Sequence, residues 1–417
     1  MNKKLGNIAV VFWEGHLNIS PSILNLILLL EKKEYYIHCY IKYNSFSDVD
    51  ILDKNENINI CKFGKSTKPS SVPVSNIKIK PTNQVPSKIR KLKYKIAREF
   101  KHFLDFIKFL GYCYSHLKHL DSKYLICVDL KSLCVGGILK FIFRRKIEII
   151  YFSLEIRNER DFIYNIDKLF KKLERYFNKK VLCTITQDTY RLDYLSKENH
   201  IRFDDKNSII IPNGYIGKIQ YSTSSYLHEK FNLDFSQKLV VSFGGFNLFN
   251  MIREIAESST KWDAQFKLLF HSTTKVDVAY YYNEVCQLSQ NKAIFSDEVL
   301  PIDEIYKILN SCYIGLALYD KNMGPNMTNI LGASGKMIAY LRCGLPVIAF
   351  RDLAGFEQFF KKYQCGILID HPNDIAEALL LISSNYSFYS SNALKAFELE
   401  FEFENAFNQL FEKNFIN

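Results

Sequence analysis

Residues 329–350 read NILGASGKMIAYLRCGLPVIAF. The small residues Gly332, Ala333, Ser334 and Gly335 stand directly before a helical stretch, MIAYLRC, which Gly344-Leu345-Pro346 then ends. The apolar run LPVIAF (345–350) reads as a strand, as does YIGLALYD (313–320) before the turn. A helix that opens just outside the end of a strand presents unpaired backbone N–H groups and the positive end of its dipole. Small residues let a ligand come close to those groups. Ser334 adds a hydroxyl and Lys336 a positive charge, so the turn reads as an anion site. The G-x-x-x-x-G-K-[ST] spacing of a P-loop is absent. The other reading of the same residues is a plain helix cap with a solvated Lys336.

Outward from this stretch, strands and helices alternate along the chain. In the first half the predicted strands are IAVVF (8–12), YYIHCYI (35–41), KYLICVD (123–129), IEIIYFSLEI (147–156), VLCTITQD (181–188) and SIIIPNG (208–214). Ser20-Pro21 supplies a helix cap and a first-turn proline for a helix running to Lys33. Residues 44–87, rich in Ser, Asn, Lys and Pro, read as a variable loop region with at most one weak strand. In the second half the strands are LVVSFGG (239–245), FKLLFHS (266–272), KAIFSDEV (292–299), YIGLALYD, LPVIAF and CGILID (365–370). Short apolar strands separated by helices specify parallel sheets covered on both faces. The expected fold is therefore α/β, with two doubly wound Rossmann-like domains facing across a cleft. The expected boundaries are 1–212, 213–395, and a C-terminal helix in 396–417 packing back on the first domain. Ligands of such sheets bind outside the carboxyl ends of the strands, so the residues worth reading lie in the loops after strands.

The composition bounds the answer further. With 417 residues, 47% of them hydrophobic and 24% charged, the chain exceeds one core and has the balance of a globular protein. The longest apolar run, ILNLILLL (23–30), holds Asn25 and falls well short of the ~20 residues of a membrane span. The opening MNKKLGNIAVVFWEG is cut by Glu14 and Gly15 too early for a secretory signal, which points to the cytoplasm. Ten scattered cysteines, without a C-x-x-C pair, read as reduced core residues, and no metal is expected.

The net charge of +11 is concentrated locally. Nine lysines and arginines fall in KIRKLKYKIAREFKHFLDFIKFLGYCYSHLKHL (88–120), against Glu99 and Asp105. Ile89, Leu92, Ile96, Phe100, Phe103, Ile107 and Leu110 recur at steps of three and four, so residues 88–110 form a basic amphipathic helix. Two readings fit: a helix that packs in the core with a solvated basic face, or one that lies on an anionic bilayer from the cytoplasmic side. Nucleic acid is a third reading, but no recognition motif accompanies the charge, so no nucleic-acid partner is expected.

SGKMIAYLRCGLPVIA resembles the C-terminal signature of GT-B glycosyltransferases, in particular the family 4 type, in which a small-residue turn and a helix hold the diphosphate of a nucleotide sugar. Other landmarks follow in family order. YFSLEI, a basic helix and TITQD resemble the last part of the N-terminal domain, and IIIPNGY resembles the interdomain crossing. FSDEVLPIDEIYKILNSCYIGLALY resembles the base-binding region. The resemblance spans residues 120–370 and is strongest over 292–350. The family's paired glutamates are missing: Ala339 stands five residues before Gly344, and Leu331 eight residues before that. The basic residues often found after the first C-terminal strand are missing too, since FGGFNLFNMI precedes the first arginine, Arg253.

The resemblance implies transfer of a sugar from a nucleotide-diphosphate sugar to a saccharide or lipid-linked saccharide, in cell-surface polysaccharide or glycolipid synthesis. It favours retention of configuration and implies no cofactor and no metal. Such a reaction must stabilise a departing diphosphate and position an acceptor hydroxyl. On the donor side the expected residues are Gly244, Gly245, His271, Ser272, Tyr319, Asn326, Asn329, Ser334, Gly335 and Lys336. Asn213 and Gly214 are expected in the interdomain turn. On the acceptor side His16, Glu155 and Asp129 stand at strand ends, where an inverting enzyme would need a general base; each is equally readable as a structural loop residue. Two rival functions remain open: a nucleotide-sugar epimerase built on the same two domains, and a non-catalytic binding subunit, which Ala339 and Leu331 would suit.

Overall fold

The computed structural model describes residues 6–64, 88–143, 147–272, 276, 281–298 and 305–417. The chain forms two compact units, one of residues 1–211 with 407–417 and the other of residues 212–406. The first holds seven strands: β1 (Gly6–Phe12), β2 (Tyr35–Lys42), β3 (Ile58–Phe63), β4 (Ser122–Val128), β5 (Glu148–Phe152), β6 (Cys183–Thr186) and β7 (Ser208–Ile210). They are ordered β3-β2-β1-β4-β5-β6-β7, and every pairing is parallel. The order reverses between β1 and β4. The central strand β1 is buried from Ile8 to Phe12, which is why it reads as an unbroken apolar run.

Two expected elements differ in extent. Within the polar region 44–87, Ile58–Phe63 pairs along its whole length with β2 as a full edge strand, while residues 65–87 lie outside the described residues. Strand β5 stops at Phe152 rather than continuing to Ile156. Beyond it the Asp129 Oδ1 accepts the backbone N–H groups of Leu154 and Glu155 at 2.8 and 2.9 Å, which takes those amides out of the sheet. The helix Pro21–Lys32 starts on its proline, but the Ser20 side chain makes no capping bond; its carbonyl accepts from Ile23 and Leu24 instead.

The basic helix spans Lys88–Leu117, with side chains described from Lys95 on. It docks through Phe106, Phe109, Cys113 and Leu117, all buried. Phe106 packs on Phe170, with ring centroids 4.6 Å apart, and Phe109 meets Trp13 edge-on at 5.2 Å. Most of the row singled out by its periodicity points away: Ile96 is 58% and Phe100 60% exposed, and Phe103 and Ile107 are also exposed, while Leu110 is half-buried against the core. Ile89 and Leu92 fall on side chains outside the described set.

The second unit holds β8 (Lys238–Phe243), β9 (Phe266–His271), β10 (Ile294–Ser296), β11 (Ile314–Ala317), β12 (Val347–Phe350) and β13 (Gly366–Ile369). Their order is β10-β9-β8-β11-β12-β13, again all parallel, with the reversal between β8 and β11. The helix Gly335–Arg342 joins β11 to β12 and is buried from Lys336 to Arg342. It ends where Gly344 turns left-handed (φ +70°). The tail forms two helices, Tyr386–Glu400 and Phe403–Glu412. Residues 407–417 belong to the first unit, where the Asn417 N–H donates to the Tyr124 hydroxyl at 3.0 Å and Phe411 lies beside Tyr35.

Candidate functional site

In the second unit the order reversal is also a local splay. Strands β8 and β11 share only two residue pairs, Val240 with Ile314 and Val241 with Gly315. Tyr340, from the helix behind them, inserts its hydroxyl where the ladder stops. It accepts the Phe243 N–H at 2.8 Å and faces the carbonyls of Val241 and Leu316 at 3.2 and 3.4 Å. Gly315 makes room for the ring, since a Cβ there would lie 2.3 Å from it. A crevice at such a reversal is where doubly wound sheets bind ligands.

The helix at that crevice is capped by Ser334, whose buried hydroxyl accepts the Met337 N–H at 3.2 Å and also bonds the Tyr319 hydroxyl. Ser334 is thus committed to the cap, a contact worth about 1 kcal/mol, and Tyr319 is committed to Ser334. The Gly335 N–H donates to the Ala333 carbonyl at 3.0 Å. Asn213 ties the turn from below, its backbone N–H reaching the Gly332 carbonyl at 2.7 Å and its amide the Ala333 carbonyl at 3.2 Å.

Lys336 departs from the solvated alternative. It is 8% exposed, and its ammonium donates to the Asn250 Oδ1 at 3.0 Å and the Leu318 carbonyl at 3.3 Å, 4.2 Å from the centre of the Tyr319 ring. No described carboxylate pairs with it. Burial alone pushes its pKa down to about 7, because desolvation disfavours the charged form. Asn250 is held by its own amide, which donates to the Gly245 carbonyl at 2.7 Å. Gly244 has φ +112° and donates its N–H to the His271 carbonyl at 2.9 Å, so both glycines belong to the turn that carries Asn250.

His271 ends β9, fully buried, with Nδ1 3.0 Å from the Ser296 Oγ and its ring stacked parallel to Phe243. Burial lowers its pKa to about 4, which makes it a neutral hydrogen-bonding group. Its Nε2 and the Asn247 Oδ1 are buried without a protein partner among the described residues. Buried polar atoms of that kind call for a ligand or water. Ser272 is buried, with its N–H on the Ser296 carbonyl at 2.8 Å. Asn326 lies in the short helix Pro325–Thr328, and Asn329 follows it, its amide on the Pro325 carbonyl at 3.0 Å. Ala339 is in the core and Leu331 is half-buried against it.

In the first unit the acceptor-side candidates separate. Asp129 and Glu155 come together, while His16 precedes the turn Leu17–Ile19 without a capping bond from its side chain and lies edge-on to Phe12 at 5.9 Å. Asp129 stands at the β1/β4 reversal in a left-handed conformation (φ +64°) that aspartate tolerates better than most residues. Burial raises its carboxyl to about 8; the Glu155 charge adds to this, while the two backbone N–H groups oppose it. The neighbouring cation is Arg191, buried, with its guanidinium on the Leu154 carbonyl and its N–H on the Asp188 Oδ1 at 2.7 Å.

Asn250, Tyr340 and Arg191 were not among the expected site residues. Only Gly315 opposite an aromatic residue, and an arginine one turn into the helix after TITQD, hinted at the last two.

Two doubly wound parallel sheets of this order, one in each unit, make up the GT-B fold. Residues 258–399 match the family described as Glucosyltransferase 3-like, C-terminal domain. No curated protein matches the sequence. Among solved structures, the sucrose-phosphate synthase of Thermosynechococcus elongatus superposes with a TM-score of 0.71 at 13% identity, covering 98% of this chain and 99% of that one. The Anabaena protein HepE, in complex with UDP and glucose, superposes with a TM-score of 0.68 at 14% identity and the same coverage. A UDP-N-acetylglucosamine 2-epimerase reaches a TM-score of 0.56 at 11% identity over 100% of this chain and 98% of that one.

Proposed function

We propose that the protein transfers a sugar from a nucleotide-diphosphate sugar, with UDP as the nucleotide, to a saccharide or lipid-linked saccharide acceptor, with retention of configuration. The observation that carries this reading is Lys336: a buried ammonium held only by neutral acceptors at a helix N-terminus. A buried cation in a dry site is costly until an anion joins it, and a leaving diphosphate is such an anion. The neighbouring His271 Nε2 and Asn247 Oδ1 are free to bond the donor's polar groups. The match to a glucosyltransferase domain and the UDP bound to HepE support the donor class. With Ala339 in the core, ribose contacts fall to groups other than the paired glutamates.

Thermal shifts with UDP, GDP, CDP and ADP, and then with their sugar conjugates, test this reading on wild type and Lys336→Ala. Ligand at about 100 times its dissociation constant stabilises a fold by ~2.7 kcal/mol. We expect a shift for UDP compounds that Lys336→Ala abolishes; an equal shift in both proteins would remove Lys336 from the site. The 2-epimerase likeness leaves a second reading, which product analysis separates, because an epimerase converts the donor with no acceptor present.

The reaction is further assigned to an anionic membrane surface on the cytoplasmic face. Ile96, Phe100, Phe103, Leu104 and Ile107 are exposed on a helix that also carries Lys95, Arg98, Lys101 and Lys108. Among the described residues no helix is long and apolar enough to cross a membrane. Apolar side chains between cations suit a helix lying at the headgroup boundary. Co-flotation with anionic vesicles, lost in Phe100→Ser/Phe103→Ser, is the expected result; a wild-type protein that stays at the bottom of the gradient would remove the membrane from the proposal.

A further inference from the structure

The turn after β8 brings no cation of its own to the crevice. FGGFNLFNMI holds none before Arg253, and Arg253 lies 2.5 Å from Glu284 in an ion pair. What the turn brings instead is Asn250, which is buried. Both ends of its amide are engaged: Oδ1 accepts from the Lys336 ammonium at 3.0 Å, and Nδ2 donates to the Gly245 carbonyl at 2.7 Å. An ammonium only donates and a carbonyl only accepts, so a side-chain amide fits between them where neither a carboxylate nor an alkyl group would.

The backbone holds that amide in place. Asn250 ends the short turn Leu248–Asn250, with its N–H on the Asn247 carbonyl at 3.2 Å. The Phe249 carbonyl accepts the Asp320 N–H at 2.9 Å, which ties this turn to the segment after β11. Met251, next in the chain, is left-handed (φ +56°), a conformation that a methionine adopts only where its surroundings impose it. Acids are kept from the same place. Asp320 stands two residues beyond Leu318, whose carbonyl takes the other Lys336 bond, yet its carboxylate accepts the Asn322 N–H at 2.9 Å. The third neighbour of the ammonium is the Tyr319 ring, its centre 4.2 Å away. Lys336 is thus fixed by an amide, a carbonyl and a ring, none of which cancels its charge.

We propose that Asn250 is a positioning residue of the donor site: it fixes the Lys336 ammonium while leaving its charge uncompensated, so that the phosphate of the nucleotide supplies the counterion. This role rests on the transfer reading and goes one step past it, because it makes the neutrality of residue 250, and not only the charge of Lys336, a condition of donor binding. A carboxylate at 250 would take the ammonium for itself.

Asn250→Asp tests this in the full chain, with UDP and uridine titrated into variant and wild type. UDP binding should weaken about ten- to a hundredfold, the contribution of one hydrogen bond to a charged group, while uridine, which carries no phosphate, should bind both proteins alike. Equal losses for the two ligands would make Asn250 a structural residue, and unchanged UDP affinity would show that a carboxylate there does not compete; either overturns the proposal. A double-mutant cycle of denaturant unfolding with Lys336→Met covers the case in which Asn250→Asp also loosens the Gly245 contact. The aspartate should lower the unfolding midpoint less beside Lys336 than in Lys336→Met, because only the lysine gives the carboxylate a partner. An equal drop in both backgrounds would show that residue 250 does not act on the ammonium. UDP that fails to bind wild type, or binds wild type and Lys336→Ala alike, sinks the transfer reading at Lys336 and the role of Asn250 with it. UDP that needs Lys336 but tolerates Asn250→Asp sinks the role of Asn250 alone.

Discussion

The two units each bury charge beside their strand-order reversal, and they handle it in opposite ways. In the first, the buried guanidinium of Arg191 shares its surroundings with the exposed Glu155 carboxylate and the buried Asp129 carboxyl, which two backbone N–H groups cap. In the second, Lys336 has an amide oxygen and a carbonyl but no described counterion. The first arrangement sets opposite charges side by side. The second has no described counterion, and the proposed function gives that place to the anion of the ligand.

The sharpest way to break this contrast is Lys336→Met, which keeps the volume and removes the charge. Replacing a buried charge that lacks a counterion with an apolar side chain is neutral or stabilising, so the unfolding midpoint should stay or rise. Turnover should fall by about 10²–10³, the usual loss when a donor to a developing oxyanion is removed. Denaturation and kcat/KM on one preparation decide it. A variant that is both less stable and active would make Lys336 a structural residue like Asp129.

Tyr340→Phe probes the frame under Lys336. The Phe243 N–H would lose its acceptor where no strand replaces it, at a cost of about 1–3 kcal/mol. Denaturant unfolding reads that loss directly; an unchanged midpoint would mean that β8 and β11 close up without the hydroxyl.

Much of this frame was legible in the sequence, because short apolar strands and intervening helices repeat with little ambiguity in type. The succession of strands and helices along the chain and the turn at 332–336 followed from that pattern; the order of strands within each sheet did not. Lys336's partner did not, since Asn250 lies 86 residues away and nothing local marks it. Nor did the docking of the basic helix. The rows Ile96-Phe100-Phe103-Ile107 and Phe106-Phe109-Cys113-Leu117 both suit a helical repeat, and only packing against Trp13 and Phe170 decides which is buried. Strand β5 ended early for a similar reason: its last amides are claimed by a side chain from another strand's end.

The same two charges should give pH dependences of opposite sign. Asp129 keeps its proton to about 8 when folded and loses it near 3.8 when unfolded, so between these values the native state binds more protons and stability falls as pH rises. Lys336 sheds its proton near 7 when folded but near 10.5 when unfolded, so over that window the native state binds fewer and stability rises with pH. Each slope is at most ~1.4 kcal/mol per pH unit. Asp129→Asn should remove the fall and Lys336→Met the rise, in unfolding curves taken from pH 4 to 10.5. Curves from the two variants that match wild type would mean that neither group titrates as its burial demands. Donor affinity gives a further check: an empty site is neutral at Lys336 above about 7, so UDP binding must take up a proton and should weaken about tenfold per pH unit above that value.

The smallest expected effect is on catalysis at Asp129. Its Oδ1 already serves the N–H groups of Leu154 and Glu155, an arrangement the asparagine oxygen reproduces. If transfer proceeds with retention, no protein base is needed on the acceptor hydroxyl, and Asp129→Asn should change kcat by less than about tenfold. A positioned general base contributes 10²–10⁴, so a loss of that size, with a pH profile whose rise toward about 8 disappears in the variant, would turn the acceptor-side carboxylates into catalytic groups. It would also turn the stereochemistry to inversion. The contrast between the two units would then change its meaning: both reversals would hold chemistry, and Arg191 would serve to tune the base.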